Sequence, residues 1–347
     1  MSALRLSFLF IALAAIVAAV SYRWSVFQTP PPPPTPDVLF ITGGSGPYWQ
    51  ITASGARTAA RDHDVALQVE MPTEDENIEQ QMGLLSSVDF GKYDGVAISP
   101  LDADNQTRLL NLIAQNAHVV TFDSDAPLSQ RECYVGTSNY GAGQLAAKLV
   151  REAIPEGGKV AVLLANLTKS NMQERKSGFE ESVAQSAGAT ESDGVPEYEV
   201  VDYLIDDGDD EVTAKLIHET LSEHPDLACL VGMNAQHGPV MLKVLEAEGK
   251  LGQIKIVAFD EEKETLDGIE AGHIYATVAQ DPYKYGYEAV RILSNLCKGD
   301  EKELPIVGSG SLFVNAEGIR KDKLAEFRKR LLARLEAAQN GKGGGTE

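Results

Sequence analysis

Polar side chains follow several short apolar runs of this sequence, at the point where each run ends. These strand-end candidates are Asp123, Asn234, Asp260 and Gln280. Carboxylates and amides form paired hydrogen bonds with neighbouring hydroxyl groups, so the set indicates a polyhydroxy ligand. A single aspartate after a strand more commonly caps the next helix, and only the combination favours a binding site.

Three further residues extend this set. Tyr48 and Trp49 follow the first apolar run of the body, and their rings offer flat apolar faces for the C–H side of a sugar. Arg175 follows the run Lys159–Leu164 and supplies charged donors. The seven residues together predict a site for a sugar-like molecule.

The elements that must position these residues alternate along the chain. From Asp37 onward, runs rich in Val, Ile, Leu and Phe alternate with helical patterns, as in parallel sheets buried on both faces. About ten such units predict an α/β fold of two doubly wound parallel-sheet lobes; a single β/α barrel is the alternative. Ligands of open parallel sheets bind beyond the carboxyl ends of the strands, where the polar residues fall.

Composition excludes several classes of function. The chain has 347 residues, with 30 basic and 51 acidic side chains and a net charge of −21. Such acidity without a basic stripe argues against nucleic-acid binding. Cys133, Cys229 and Cys297 lack the spacing of a disulfide framework or a metal site. Neither a nucleotide-binding loop nor a nucleophile–base pattern is present, so we expect a binding protein without cofactor or metal, not an enzyme.

The two ends of the chain differ from its body. Residues 1–28 contain the apolar run Phe8–Val20, which predicts either a secretory signal peptide or a membrane anchor. Residues 29–36 are proline-rich and predict an extended spacer. Near the other end, Lys321–Ala338 predicts a basic amphipathic helix, which either packs on its own domain or lies on a membrane. Residues 331–347 are expected to form the end of that helix and a disordered tail.

From about residue 37 to 314 the sequence resembles the periplasmic sugar-binding proteins of ABC transporters, of the ribose/galactose type. The order and spacing of several segments carry the resemblance: Pro47–Trp49, Thr121–Asp123, Tyr134–Asn139, Asn171–Phe179, Val257–Asp260 and Gly272–Gln280. It implies a type I periplasmic-binding-protein fold with two lobes and a three-strand hinge. The N-terminal lobe would be residues 37–139 with 281–308, and the C-terminal lobe 140–280 with 309–330. The crossings would fall near 138–139, 280–282 and 308–310.

The resemblance also implies a site and a role. Carried over residue by residue, the ligand contacts are Tyr48, Trp49, Asp123, Arg175, Asn234, Asp260 and Gln280. The implied function is that of an exported, monomeric solute-binding protein of the periplasm or cell envelope. It would capture a monosaccharide or similar polyol and deliver it to an ABC transporter permease. The alternative is a membrane-tethered sugar sensor that signals to a membrane partner.

The sequence departs from the ribose-binding pattern at three points. Ser124 and Asp125 follow Asp123, where ribose binders have an arginine, which removes a hydroxyl donor and adds a carboxylate. Asn234 is followed by Ala235 rather than by an aspartate. The glycine-rich stretch 43–46 precedes the aromatic pair in place of polar residues. These changes predict a ligand other than ribose, in a roomier or differently shaped pocket.

Overall fold

The structure, a computed structural model, describes residues 3–27, 34–74, 77–167, 170–187, 196–300 and 310–340. Its strands are β1 (Asp37–Ile41), β2 (Ala66–Glu70), β3 (Gly95–Ile98), β4 (His118–Phe122), β5 (Cys133–Gly136), β6 (Gly158–Leu164), β7 (Tyr198–Ile205), β8 (Leu227–Gly232), β9 (Lys255–Phe259), β10 (Ala276–Ala279), β11 (Ser311–Phe313) and β12 (Glu317–Arg320). Its helices are α1 (Ala3–Phe27), α2 (Pro47–Asp62), α3 (Ile78–Ser87), α4 (Ala103–Ile113), α5 (Asn139–Ala153), α6 (Ser170–Ala187), α7 (Asp210–Glu223), α8 (His237–Ala247), α9 (Lys263–Ala271), α10 (Pro282–Cys297) and α11 (Lys321–Asn340), with a short 3₁₀ helix at Phe90–Lys92.

The strands form two sheets. The first has the order β11-β5-β4-β3-β1-β2 and is parallel throughout. The second has the order β12-β10-β9-β8-β6-β7 and is parallel except for the antiparallel pair β10–β12. We call each sheet with its covering helices a lobe: α2, α3, α4 and α10 cover the first, and α5 to α9 with α11 cover the second. The prediction of two doubly wound parallel-sheet lobes is confirmed, and the barrel alternative is wrong.

Helices cover both faces of each sheet, which explains the unbroken apolar runs. In β1, Val38 and Phe40 join one hydrophobic core, while Leu39 and Ile41 join the core on the opposite face. Side chains alternate across a strand, so a strand with both faces covered must be apolar at every position.

The chain crosses between the sheets three times. It leaves the first sheet after Gly136, returns after Ala279, and crosses again between Phe313 and Glu317. The sequence places the last crossing near 308–310, and that prediction is wrong. The reason is that β11 pairs with β5 in the first sheet, in the register Ser311 to Tyr134. Residues 301–309, which include part of the predicted boundary, lie outside the described residues.

Each lobe contains one helix pair that approaches backbone to backbone through two glycines. In the first lobe, a Cβ on Gly286 would lie 1.9 Å from the carbonyl oxygen of Thr52, and Gly55 of α2 faces α10 equally closely. In the second lobe, a Cβ on Gly143 of α5 would lie 2.1 Å from the carbonyl oxygen of Arg175 on α6. Only glycine permits these contacts, and the second pair sets the position of the arginine predicted to bind ligand.

Helix α11 packs on the body of the protein. Two of its apolar side chains, Leu324 and Phe327, are buried in the second lobe. Farther along, Arg334 donates a hydrogen bond to Asp281 (2.8 Å) and lies over the ring of Tyr283. Asp281 and Tyr283 belong to the beginning of α10, so α11 contacts both lobes.

The described part of the N-terminal segment is helical. Helix α1 belongs to a unit, Met1–Thr35, that is distinct from Pro36–Glu347. Its apolar side chains are exposed, Phe10 at 74% and Ile16 at 61%. Among the residues that the structure describes, no helix has the length and apolarity that a membrane crossing requires. Residues 29–33 of the predicted spacer and residues 341–347 of the predicted tail lie outside the described residues.

Candidate functional site

Asp123 lies at the carboxyl edge of the first sheet, directly after β4. Its side chain accepts a hydrogen bond from the Tyr48 hydroxyl (2.5 Å) and another from Ser99 (3.2 Å). Its backbone is held from both sides: its N–H donates to the carbonyl of Val135, and its own carbonyl accepts the hydroxyl of Tyr134 (2.7 Å). These contacts fix the carboxylate at the end of the strand.

Asp260 occupies the equivalent place in the second sheet, after β9. Its N–H donates to the carbonyl of Val278 on the neighbouring strand, and its carbonyl accepts the hydroxyl of Thr277 (2.7 Å). The side-chain amide of Gln280 donates to its carboxylate (2.8 Å). The backbone arrangement is therefore the same as that of Asp123, and each lobe presents one carboxylate at the carboxyl edge of its sheet.

Both aspartates have left-handed backbone conformations, with φ of 62° for Asp123 and 60° for Asp260. Residues other than glycine rarely adopt this region, and aspartate is among those that tolerate it. Uncommon backbone conformations concentrate at functional sites. Their occurrence at two matched strand ends, each with the same backbone hydrogen bonds, supports a shared role in binding.

Arg175 projects from α6 toward Asp260. Its Nε donates to the side chain of Asn139 (3.0 Å), its Nη1 donates to the carbonyl of Met233 (2.7 Å), and its guanidinium lies 4.1 Å from the centre of the Phe259 ring. Burial raises the pKa of the Asp260 carboxyl, and the positive charge of Arg175 opposes that rise. A buried carboxylate and a buried guanidinium at one edge can bind neighbouring hydroxyls as acceptor and donor.

Tyr48 and Trp49 differ in their burial. Tyr48, in the first turn of α2, remains half-buried, and burial followed by the negative charge of Asp123 raises the pKa of its hydroxyl, which keeps it a donor. Trp49 is only 4% exposed and belongs to the core of the first lobe. A Cβ on Gly43 would lie 2.6 Å from the Trp49 ring, so that glycine makes room for the indole. The prediction that the glycine-rich stretch widens the pocket has no support at Gly43, whose space the Trp49 ring fills.

Gln280 connects the second-lobe carboxylate to the first lobe. While its amide donates to Asp260, its carbonyl oxygen accepts the hydroxyl of Tyr285 (3.3 Å), a fully buried residue of α10. The Tyr285 hydroxyl also makes a short hydrogen bond with Thr137, which follows β5. A continuous hydrogen-bond chain thus runs from Asp260 to the first lobe beside two of the crossings.

Asn234 is held within its own turn. It is half-buried in the turn between β8 and α8, and its side-chain amide donates to Gln236 (3.3 Å). The preceding residue, Met233, holds Arg175 through its carbonyl. The structure therefore joins Tyr48 to Asp123 and Gln280 to Asp260 by hydrogen bonds. It brings the charge of Arg175 close enough to act on Asp260 and places Asn234 next to the residue that holds Arg175.

Several residues that organise the site were not predicted from the sequence. Ser99 directly follows β3 and could have been found by the rule that identified Asp123. Tyr134 and Thr277 lie inside strands, and Tyr285 lies inside a helix, where no strand-end signal exists. Their roles depend on which strands become neighbours.

The carboxylate of Asp125, which departs from the ribose pattern, is fully engaged by protein groups. Arg131 donates to it twice (2.5 and 2.6 Å) and Thr121 once (2.7 Å). Bidentate pairs of this kind are strong and specific. Asp125 therefore anchors the loop after β4, which replaces the expectation of an added ligand-facing carboxylate.

The three cysteines are buried or half-buried. The thiols of Cys133, Cys229 and Cys297 are free, and burial raises the pKa of the first to about 11 and of the other two to about 12. Reactive thiolates are therefore scarce at neutral pH. Among the described residues, no three His, Cys, Asp or Glu side chains are grouped as metal ligands.

Glu261, next to Asp260, is expected to destabilise the ligand-free protein as pH rises. Its Oε2 is buried without a hydrogen-bond partner, and burial followed by the charge of Asp260 raises its pKa well above the usual 4.5. The folded state then binds a proton more tightly than the unfolded state. The free energy of unfolding therefore falls as pH rises above the unfolded pKa of 4.5. Glu261→Gln is expected to raise the melting temperature at pH 8 by about 2 °C or more, measured by calorimetry, and to reduce the loss between about pH 5 and pH 8.

Glu246→Gln is the matched control, because Glu246 is an exposed glutamate of the same lobe. It should change the melting temperature by less than about 1 °C, as surface substitutions usually do. Equal pH profiles for Glu261→Gln and the unchanged protein would contradict the assigned charge burial.

Comparison with known proteins identifies the family to which this fold belongs. The profile of the periplasmic binding protein domain matches residues 38–301. The chain belongs to this family.

Its relatives include binding proteins for several sugars. The chain is 27% identical over 214 residues to the ribose import binding protein RbsB of Bacillus subtilis, in an alignment that covers 61% of this chain and 66% of the relative. It therefore spans just under two thirds of that curated relative. Among solved structures, GanP, a glucose-galactose binding protein from Geobacillus stearothermophilus, matches with a TM-score of 0.75 at 29% identity, over 84% of this chain and 99% of GanP. AraP, an arabinose binding protein from the same organism, matches with a TM-score of 0.72 at 28% identity, over 85% and 99% of the two chains.

Proposed function

We propose that this protein is an exported solute-binding protein that captures a monosaccharide or similar polyol between its two lobes and delivers it to an ABC importer. The observation that carries the proposal is the matched pair Asp123 and Asp260. Each is held in the same uncommon backbone conformation at the carboxyl edge of its own sheet. Two such carboxylates can accept hydrogen bonds from hydroxyls on opposite sides of one sugar ring.

The remaining predicted contacts complete a site for a polyhydroxy ring. Arg175 and Gln280 supply donors beside Asp260, and Tyr48 supplies a half-buried ring and a hydroxyl beside Asp123. The relatives named above bind ribose, glucose or galactose, and arabinose, which supports a monosaccharide as the ligand class. The chemistry is that of binding, since no group in the set is arranged as a nucleophile with its base.

Capture would couple to a change in lobe arrangement. A series of side-chain hydrogen bonds joins the two lobes beside their crossings, running from Asp260 through Gln280 and Tyr285 to Thr137. A ligand that forms hydrogen bonds with Asp260 and Gln280 competes with the hydrogen bonds that these two side chains form within the series. Differential binding to the two arrangements shifts their populations, which gives an importer a closed, loaded form to recognise. We take the moving bodies to be the two lobes, with β11 assigned to the first.

The N-terminal segment would direct export of the protein across the inner membrane, either as a cleaved signal or as a retained anchor. The exported protein would act as a monomer. The apolar run of α1 supports export. The retained anchor is the alternative, although no described helix has the length and apolarity of a membrane crossing. Mass spectrometry of the protein from separate periplasmic and membrane fractions distinguishes them. A mature chain that begins near residue 21 indicates cleavage, and an intact N-terminus in the membrane fraction indicates an anchor.

A thermal-shift screen tests the proposed function. The panel contains D-ribose, D-allose, D-arabinose, D-xylose, D-glucose, D-galactose, D-fructose and common polyols at millimolar concentration. A ligand present at 100 times its Kd stabilises the folded state by about 2.7 kcal/mol, which raises the melting temperature by several degrees. No shift with any compound of the panel would contradict the proposal.

Trp49 is expected to report ligand binding through its fluorescence. Its ring lies edge-on to Tyr48, at 5.1 Å between centroids, and Tyr48 contacts Asp123 directly. The exposed Trp24 contributes the other tryptophan signal, so the titration uses the Trp24→Phe variant. We expect a saturable change in Trp49 emission with the Kd found by calorimetry. Emission that stays constant while calorimetry detects binding would place the ligand away from Tyr48.

A further inference from the structure

A fully buried histidine–aspartate pair lies behind the turn that carries Asn234. Asp206 follows β7 and His237 begins α8, and the side chains of both have no exposed surface. The imidazole Nε2 and the Asp206 carboxylate are 2.8 Å apart. The Asp206 carboxylate also accepts the N–H of Gly208 (2.9 Å) and the hydroxyl of Thr213 (3.0 Å). All of these contacts are internal, so the pair has no direct access to a ligand.

The other imidazole nitrogen faces the backbone of the turn. Nδ1 of His237 accepts hydrogen bonds from the backbone N–H groups of Asn234 (3.2 Å) and Met233 (3.1 Å). The Met233 N–H also donates to the carbonyl of Leu163. An Nδ1 that accepts two N–H groups requires the tautomer with its proton on Nε2. The Asp206 carboxylate accepts a hydrogen bond from this Nε2–H and so fixes both the tautomer and the orientation of the ring.

The same turn faces the proposed binding site on its opposite side. The Met233 carbonyl accepts Nη1 of Arg175 at 2.7 Å, and Asn234 is the next residue. One short backbone segment is thus held from inside by His237 and holds Arg175 on its outer side. The backbone also leaves room for the imidazole, because a Cβ on Gly232 would lie 2.4 Å from the Cβ of His237.

We propose that His237 and Asp206 are positioning residues, which lock the turn at Met233 and Asn234 so that Arg175 and Asn234 face the sugar. This inference rests on the proposed function, because it takes Arg175 and Asn234 to be ligand contacts. The histidine acts through the backbone it orders and touches no ligand itself. Neither residue was among the sequence candidates.

Two substitutions of His237 separate this role from simple core packing. His237→Met fills similar space but offers no acceptor to the Asn234 N–H. His237→Asn retains an acceptor at the Nδ1 position while losing the reach to Asp206. With the panel sugar that binds, His237→Met is expected to raise the Kd by about tenfold or more, as for the loss of one or two hydrogen bonds. His237→Asn is expected to have a Kd much closer to that of the unaltered protein.

Leu221→Ala controls for lobe stability, because Leu221 is a buried residue of α7 in the second-lobe core. It should lower the melting temperature at least as much as His237→Met, yet change the Kd by less than about twofold, since nearly all molecules remain folded. Hydrogen exchange of the ligand-free protein provides a readout independent of the sugar. His237→Met should accelerate exchange of the Asn234 amide beyond what its loss of global stability explains. Leu221→Ala should accelerate it no more than the change in its global unfolding free energy explains.

Unchanged exchange at Asn234 in a folded His237→Met protein would overturn the positioning role. An unchanged Kd in that protein would overturn it equally. If no panel sugar binds the unaltered protein, the proposed function fails, and the exchange result alone still decides whether His237 orders the turn.

Discussion

Asp260→Ala is expected to weaken sugar binding by at least a hundredfold while leaving the protein folded. The carboxylate is 7% exposed and has Gln280 as its side-chain partner, so a ligand hydroxyl can use its remaining acceptor capacity. Two hydrogen bonds to a charged group contribute on the order of 3 kcal/mol or more, and a hundredfold change in Kd corresponds to about 2.7 kcal/mol. Asp123→Ala is expected to have an effect of similar size from the other lobe.

Stability distinguishes a ligand-binding role of Asp260 from a structural one. Burial raises the pKa of this carboxyl, so its ionised form costs the ligand-free protein stability at neutral pH. Asp260→Asn should therefore keep or raise the ligand-free melting temperature while it weakens binding. Asp202→Ala, at an exposed position of the same lobe, should alter neither. A Kd for Asp260→Ala within about threefold of the unaltered protein would contradict the assigned site.

Gly143→Ala is expected to destabilise the protein by about 3 kcal/mol and to impair binding as well. The added methyl would lie 2.1 Å from the carbonyl oxygen of Arg175, a backbone atom that moves only if α6 moves. Overpacking of this kind typically costs 1–3 kcal/mol and sometimes more. Because α6 carries Arg175, displacement of the helix also displaces a proposed ligand contact. Urea unfolding and calorimetric titration measure the two effects.

Gly83→Ala is the matched control for this substitution. Gly83 lies within α3, and a Cβ there would meet nothing within 4 Å. Alanine should stabilise the helix by about 0.5–1 kcal/mol. If Gly143→Ala were as stable as Gly83→Ala, the close approach of α5 and α6 would be wrong.

The sequence predicted the parts of the site that have a local signal. Asp123 and Asp260 each follow an unbroken apolar run, and a parallel sheet places such residues at its binding edge. The fold followed from the same runs, because only strands buried on both faces are apolar at every position. The sequence predicts Trp49 as a ligand contact, but it gives no sign of the burial of this ring, which depends on the space left by Gly43.

Other features could not be predicted, because they depend on contacts distant in sequence. The three residues of β11 are too few to show which sheet they join, and their pairing with β5 moved the last crossing. The pairing of Asp125 with Arg131 depends on the path of a loop. His237 carries no sequence signal of its own, since its role arises only when Asp206 from another strand meets it in the core.

The most direct test of the central claim is a crystal structure with the panel sugar that gives the largest thermal shift. We predict that the ring lies between the lobes, with one set of hydroxyls within hydrogen-bond distance of Asp123 and another of Asp260 and Arg175. A sugar bound elsewhere, or one that contacts neither aspartate, would contradict the account of how this protein binds its ligand.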